Sequence, residues 1–274
     1  MKTLRPFLLI CTLALAAGVS AQTITGYGVI KTLYVTQTTS GAPGITDAQP
    51  YALNAYVFGS GLTSGYTFTP FGGSAVGLTV SGGNSASFDS SSYATAGDLN
   101  TAYAEGVYSM TFPNGQVAQG ANLPNFAGDL YPTFADATIG GTWSGNRLQV
   151  NNAGNYTLTF NFSSMTADDS LSINIRNSSD VTVYSNFANF GSNTNTFVIN
   201  SGTLAAGQTY YAELRFNNNF INYNTPFSVA NGDVGFTTSN NFEIQAIPEP
   251  STYAAILGTV ALAGVMIQRR RQTA

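Results

Sequence analysis

The chain has 274 residues, no histidine, one cysteine, 29 glycines and only 8% charged residues, with a formal net charge of −4. Without histidine, His-assisted nucleophiles and histidine-ligated metals are excluded. Between Gln22 and Ile247 only Lys31, Arg147, Arg176 and Arg215 are basic against twelve acids, a net charge of −8, so no nucleic-acid partner is expected: phosphate binding needs a positive face.

Residues 1–21 have the form of a secretory signal peptide. Lys2 and Arg5 make a positive start, an apolar core runs from Phe7 to Val19, and Val19-Ser20-Ala21 offers small residues for cleavage before Gln22. Cys11 lies inside this core, so the mature chain has no cysteine, and disulfides, thiolate catalysis and cysteine metal sites drop out.

Residues 22–112 read as a β-rich domain. Alternating apolar runs predict strands over 23–38, 51–58, 66–71, 76–80 and 107–112, with Gly72-Gly73-Ser74 and Ser81-Gly82-Gly83 as hairpin turns. One short helix is predicted between them. Thr95 can cap it, Asp98 follows three residues on, and Leu99, Ala102 and Tyr103 form its inner stripe. Residues 113–131, rich in Pro and Gly, are the expected linker.

Residues 132–246 predict a sandwich. Tyr156, Leu158, Phe160 and Phe162 alternate with Thr157, Thr159 and Asn161, as a half-buried antiparallel strand requires. The same period recurs at Leu148 and Val150, at Leu171, Ile173 and Ile175, and at Val181 and Val183. Phe197 to Ile199, Tyr210 to Phe216, and Phe242 to Ala246 complete about seven strands, the number of an immunoglobulin-like fold. Leu204-Ala205-Ala206-Gly207-Gln208-Thr209-Tyr210 resembles the turn before the sixth strand of fibronectin type III and related domains, where leucine, glycine and tyrosine form a tyrosine corner; the usual proline is Ala206 here. The resemblance implies a structural role for Tyr210. The expected fold is all-β: an immunoglobulin/fibronectin-like sandwich in the C-terminal half, a second β-rich region with a short helix before it, and a C-terminal transmembrane helix.

That helix belongs to the tail, residues 247–274. Pro248 and Pro250 hold an extended segment. Tyr253 to Ile267 carries no charge or proline, and Arg269-Arg270-Arg271 closes the run. Fifteen residues make about 22 Å of helix against a hydrocarbon core of about 30 Å, so the predicted span is extended to about 252–268. The arginines mark the cytoplasmic side. Pro248-Glu249-Pro250, the apolar helix and Arg269, Arg270 and Arg271 together resemble the PEP-CTERM sorting signal. The resemblance covers residues 247–271. It implies processing by an exosortase-type membrane enzyme in a Gram-negative bacterium that makes exopolysaccharide, and it says nothing about the activity of the cargo.

Candidate chemistry is sparse. No glycine-rich loop carries a phosphate-binding lysine. Asp168-Asp169 lacks the alternating spacing of a calcium loop and reads as a solvated turn. A glycosidase needs two carboxylates across a cleft, and nothing nominates a pair, Glu105 and Asp129 included. No catalytic residue, metal or cofactor is expected. Trp143, the sole tryptophan, can stack on a sugar ring or plug the core, the commoner use of an aromatic. Phe220 and Tyr223 fall in an Asn-rich stretch, residues 217–224, that reads as a long loop, and loops at the end of a sandwich are where binding sites gather. These three are the candidate glycan contacts. The chain thus reads as an exported structural protein of the envelope or exopolysaccharide matrix, not an enzyme, anchored at first by its tail. The alternative is a glycan-binding or adhesive surface module, with exopolysaccharide as partner.

Overall fold

The structure, a computed structural model, describes residues 22–113, 117–119, 130–133, 137–160, 169–189, 196–222, 231–248, 258–263 and 266–268. Its organising element is the last strand, β16 (Asn231–Ile247), seventeen residues long. One edge of β16 pairs along its length with antiparallel β15 (Thr209–Asn222). The other edge is shared: residues 231–241 pair in parallel with β1 (Thr23–Thr36), and residues 243–247 pair in parallel with β10 (Arg147–Asn151). A single strand therefore joins the two halves that the sequence separates.

From this spine a ten-stranded sheet spreads both ways. On one side β15 is followed by β12 (Ser170–Arg176) and β13 (Thr182–Asn189); on the other β1 is followed by β2 (Tyr51–Ser60), β6 (Ser85–Asp89) and β5 (Thr79–Ser81), while β9 (Trp143–Ser144) pairs with β10. Two smaller sheets complete the strands among the described residues: β3 (Thr67–Thr69), β4 (Val76–Gly77), β7 (Ser109–Thr111) and β8 (Val117–Gln119) in one, β11 (Tyr156–Thr159) and β14 (Thr196–Ile199) in the other. Each smaller sheet contributes to its own apolar core. Phe68, Met110 and Phe112 join Leu53, Val57, Val234 and Phe236 in the first. Leu158, Phe197 and Ile199 join Ile173, Leu214, Phe242 and Ile244 in the second. The result is a β-sandwich architecture, and most of the inward residues predicted in the second half lie in the core; Tyr156 and Val183 are half-buried against it, and Phe162 lies outside the described residues.

The helix and its cap form, but of the predicted inner stripe only Leu99 is buried, Tyr103 being half-buried and Ala102 exposed. In α1 (Ala96–Ala102) Thr95 is the N-cap, its Oγ1 accepting from the Asp98 N–H at 3.1 Å and donating to Asp98 Oδ2 at 2.8 Å, with Leu99 buried. The tyrosine corner also closes: Ala205 N donates to Tyr210 Oη at 2.8 Å.

Several expectations change. Residues 217–222 are strand, not loop. Asparagine is a poor strand former, but β16 offers a complete ladder and the side chains find partners: Asn217 Nδ2 donates to Ser170 Oγ at 3.1 Å, Asn217 Oδ1 accepts from Thr237 Oγ1 at 2.6 Å, and Asn218 Nδ2 donates to Leu130 O at 2.9 Å. Residues 117–119, within the predicted linker, form β8. Residues 85–89, unassigned from sequence, form β6 because Ser81 to Asn84 turn the chain back onto β5. Val181 is exposed, lying just before β13. Asp169 is buried beside Ser170 instead of lying in a solvated turn, and Asp168 lies outside the described residues. Among the described residues no helix is long and apolar enough to cross a membrane. Residues 258–263 and 266–268 are helical; the rest of the predicted 252–268 span lies outside the described residues.

Between the two cores β16 carries a polar seam. Thr238 and Asn240 occupy the face that holds Phe236 before them and Phe242 after them, and both are buried. They meet backbone laid across the sheet: Thr238 Oγ1 donates to Pro132 O at 2.6 Å, and Asn240 Nδ2 donates to Ala137 O at 2.7 Å and to Gln37 Oε1 at 2.9 Å. Gln37 in turn donates to Ile139 O and accepts from Ile139 N, both at 2.9 Å. Buried carbonyl and amide groups need such partners, which explains polar residues at core-facing positions.

Candidate functional site

The opposite face of the large sheet has a different chemistry. Strand register sets Ser172 against Arg215, Asn174 against Glu213 and Arg176 against Tyr211; across the next pair Glu213 meets Asn241 and Tyr211 meets Glu243. Alternate residues of each strand point the same way, so these side chains share one face. Three of the four basic residues between Gln22 and Ile247 lie on it. The fourth, Lys31, is buried on the other side, its Nζ 2.6 Å from Asn100 Oδ1 of α1.

Glu213 is the hub. Its Oε1 accepts from Arg215 Nε and from Ser239 Oγ, both at 2.8 Å, and its Oε2 lies 3.6 Å from Arg176 Nη2. Arg176 also reaches Asp180 Oδ1 at 3.2 Å, and Arg147 Nε donates to Glu243 Oε2 at 2.6 Å. Burial works against the charge of Arg215, yet Glu213, with Tyr34 and Asp89, holds the guanidinium above its ordinary value. Burial raises the phenol of Tyr34, Glu213 and Asp89 add to it, and Arg215 with a hydrogen bond from Asn54 opposes.

Around this hub lie two hollows. One of about 590 Å³ is lined by Tyr34, Tyr211 and Asn241 among others. The other, about 550 Å³, is lined by Ser172, Asn186 and Phe187. Asn174, Arg176, Glu213 and Arg215 line both. Tyr211 and Phe187 are more than half exposed, at 56% and 60%. The face offers donors, acceptors and aromatic surface. Its carboxylates are already engaged by arginine, and among the described residues no group of three or more metal-ligating side chains exists.

The residues singled out from sequence fall elsewhere. Trp143 is half-buried against the second core, its ring centroid 6.3 Å from that of Phe242, and its Nε1–H is buried without a hydrogen-bond partner among the described residues. Phe220 lies in β15 opposite Val234. Tyr223, Glu249, Pro250, Arg269, Arg270 and Arg271 lie outside the described residues, as does Asp129, while Glu105 is exposed near the end of α1. Pro248 directly follows the last paired residue of β16. Tyr34, Tyr211, Glu213, Arg176 and Arg215 were not marked by sequence as a group. The available signal was the scarcity of arginine and the outward phase of Arg176, Glu213 and Arg215 in strands whose inward residues were identified.

No protein-family model matches this chain, and no curated protein does. Among solved structures it is similar to the tetra-tandem repeat in the extending region of a large adhesion protein, at 13% identity and a TM-score of 0.20, covering 79% of this chain and 49% of that one. It is also similar to the FN1–FN3 domains of chicken CNTN1, at 9% identity and a TM-score of 0.25, covering 82% of this chain and 66% of that one. The chain thus spans about half the length of the first and just under two thirds of the second. At these TM-scores the likenesses assign neither a family nor a function.

Proposed function

We propose that this is an exported protein that contributes structurally to the cell envelope or extracellular polymer and is sorted through a PEP-CTERM tail by an exosortase-type enzyme. One observation carries the reading: Pro248-Glu249-Pro250, an apolar run and Arg269-Arg270-Arg271 follow immediately on the last paired residue of the central strand. The sorting segment then begins where the folded body ends, and its two prolines disfavour helix and sheet ladder there, which suits the grip of a processing enzyme. In its finer description the second half is an immunoglobulin/fibronectin-like sandwich. Its strand order β13-β12-β15-β16-β10 faces the β11–β14 pair, and Tyr210 at the start of β15 closes the corner back to Ala205.

Intact mass of the protein from envelope and culture medium of its native host tests the sorting claim. A mass running from Gln22 to a terminus near residues 248–252, found in the medium or matrix, supports it. A mass extending from the leader or to Ala274, found only in the membrane, overturns it. A second reading, a glycan-binding or adhesive module, is favoured by the polar, aromatic face around Glu213.

A further inference from the structure

We propose that the sheet face at β1, β12, β15 and β16 is a binding site for a neutral polysaccharide chain, in which Tyr34 and Tyr211 stack on sugar rings while Asn174, Arg176, Glu213 and Arg215 hydrogen-bond the hydroxyls. This deepens the glycan-binding reading and rests on it, and it is independent of how the tail is processed.

Three observations converge. First, the hollow is open and of ligand size, about 590 Å³. A second hollow of about 550 Å³ continues it across the same four polar residues, which makes a track longer than a single pocket.

Second, the charges cancel within the site. The arginines lining the larger hollow, Arg176 and Arg215, face three carboxylates, Asp180, Glu213 and Glu243. Arg215 and Arg176 both engage Glu213, and Glu243 is held by Arg147. A phosphate or uronate would have to break these pairs to be bound and would meet a wall with no net positive charge. A polyol needs no counter-charge. Its hydroxyls donate to carboxylate oxygens and accept from guanidinium N–H groups left over from the ion pairs, which have five donors per arginine.

Third, aromatic surface lies where a sugar ring can use it. Tyr211 is 56% exposed at a position where a packing role would hide it. Phe187 is 60% exposed beside the second hollow. Aromatic rings present a large apolar face at low entropic cost and carry recognition in this way. Tyr34 on β1 and Tyr211 on β15 stand two strands apart, with registers Ser239 and Glu243 on β16 between them. That separation is about 10 Å across the sheet and about 13 Å along it. Several linked sugars span it and one does not, so the ligand is a chain.

The test uses the protein purified from its host, titrated calorimetrically with cello-, laminari-, malto-, manno- and chitohexaose, with hexagalacturonate as the anionic control. At least one neutral hexasaccharide should bind saturably, with an affinity that is the same at about 50 mM and about 500 mM salt, as a neutral ligand requires. Tyr211→Ala should weaken it about tenfold or more, with the urea midpoint unchanged because the side chain is exposed. Trp143→Phe should leave it unchanged. If no neutral hexasaccharide binds, the glycan reading and this site both fall. Binding that survives Tyr211→Ala moves the site elsewhere and leaves the glycan reading standing. Salt-sensitive binding of hexagalacturonate alone overturns the neutral chemistry, and self-association abolished by Tyr211→Ala, without sugar binding, reassigns the face to a second copy of the chain.

Discussion

Replacing Gln37 by Met keeps the length and flexibility of the side chain and removes its amide from the seam that joins the two cores. Gln37 is 1% exposed. Its Oε1 accepts from Ile139 N and Asn240 Nδ2, and its Nε2 donates to Ile139 O and Thr39 O, all at 2.9 Å. The substitution leaves the Ile139 N–H without its acceptor and the Asn240 amide and Ile139 carbonyl each short of one partner. A buried group deprived of its partner costs about 1–3 kcal/mol, so the loss should be about 4 kcal/mol. At roughly 2–4 °C per kcal/mol for a body of this size, Tm should fall by about 10 °C. Asn240→Leu alone should cost less, about 1–2 kcal/mol. It removes one donor from Gln37, which keeps Ile139, and the donor to the Ala137 carbonyl, but it also eliminates a buried Asn240 Oδ1 that has no partner among the described residues. The double variant should therefore be more stable than the sum of the singles predicts, by about 1 kcal/mol or more. Urea denaturation followed by Trp143 fluorescence, which reports the second core, and by far-UV circular dichroism, which reports both halves, measures all three. Coincident transitions are expected, because β16 runs through both cores. Additive effects, a Gln37→Met cost below about 1 kcal/mol, or two separate midpoints would refute the reasoning.

Other outcomes follow from single contacts. Tyr210→Phe should lower stability by about 1–2 kcal/mol in urea melts, since the part-buried Ala205 N–H loses its acceptor while the ring stays in the core. Gly59→Ala should destabilise by about 3 kcal/mol or more, because a Cβ there meets the Thr23 carbonyl oxygen of the neighbouring strand and forces β1 away; an unchanged melting temperature would contradict the register of β1 on β2. Burial raises the phenols of Tyr108, Tyr66 and Tyr156 above the ordinary value of 10.0. The folded state then holds these protons longer than the unfolded chain, so stability is fully present below pH 10 and is lost as pH rises above it. Urea midpoints from pH 8 to 11.5 should fall only above about pH 10, and Tyr108→Phe should make that fall shallower.

Local pattern made much of the second half legible. Leu148 and Val150, Leu171 to Ile175, Phe197 and Ile199, Tyr210 to Phe216, and Phe242 to Ala246 alternate because each strand has one face on an apolar core, and every named inward residue there is buried. Helix α1 was legible for another local reason: a threonine three residues before an aspartate satisfies free N–H groups whatever surrounds it. The polar stretches were harder. Residues 217–222 have loop composition and strand structure because β16 supplies backbone partners. Thr237, Thr238, Ser239 and Asn240 are buried because backbone and long side chains cover them, and polarity alone predicts the opposite.

The amino-acid sequence by itself determined the all-β character of the folded body, its inward-facing residues, the leader-like start and the sorting-like tail, since each is written in a short window of composition or period. The tertiary structure alone decided that β1 and β16, some two hundred residues apart, lie side by side, that one strand serves two cores, and that Arg176, Glu213 and Arg215 meet on an open face beside Tyr34 and Tyr211. Those facts depend on which strand edges pair and in what register, and pairing over such separations is set by the closure of the whole sheet, which leaves no periodic mark on any one segment.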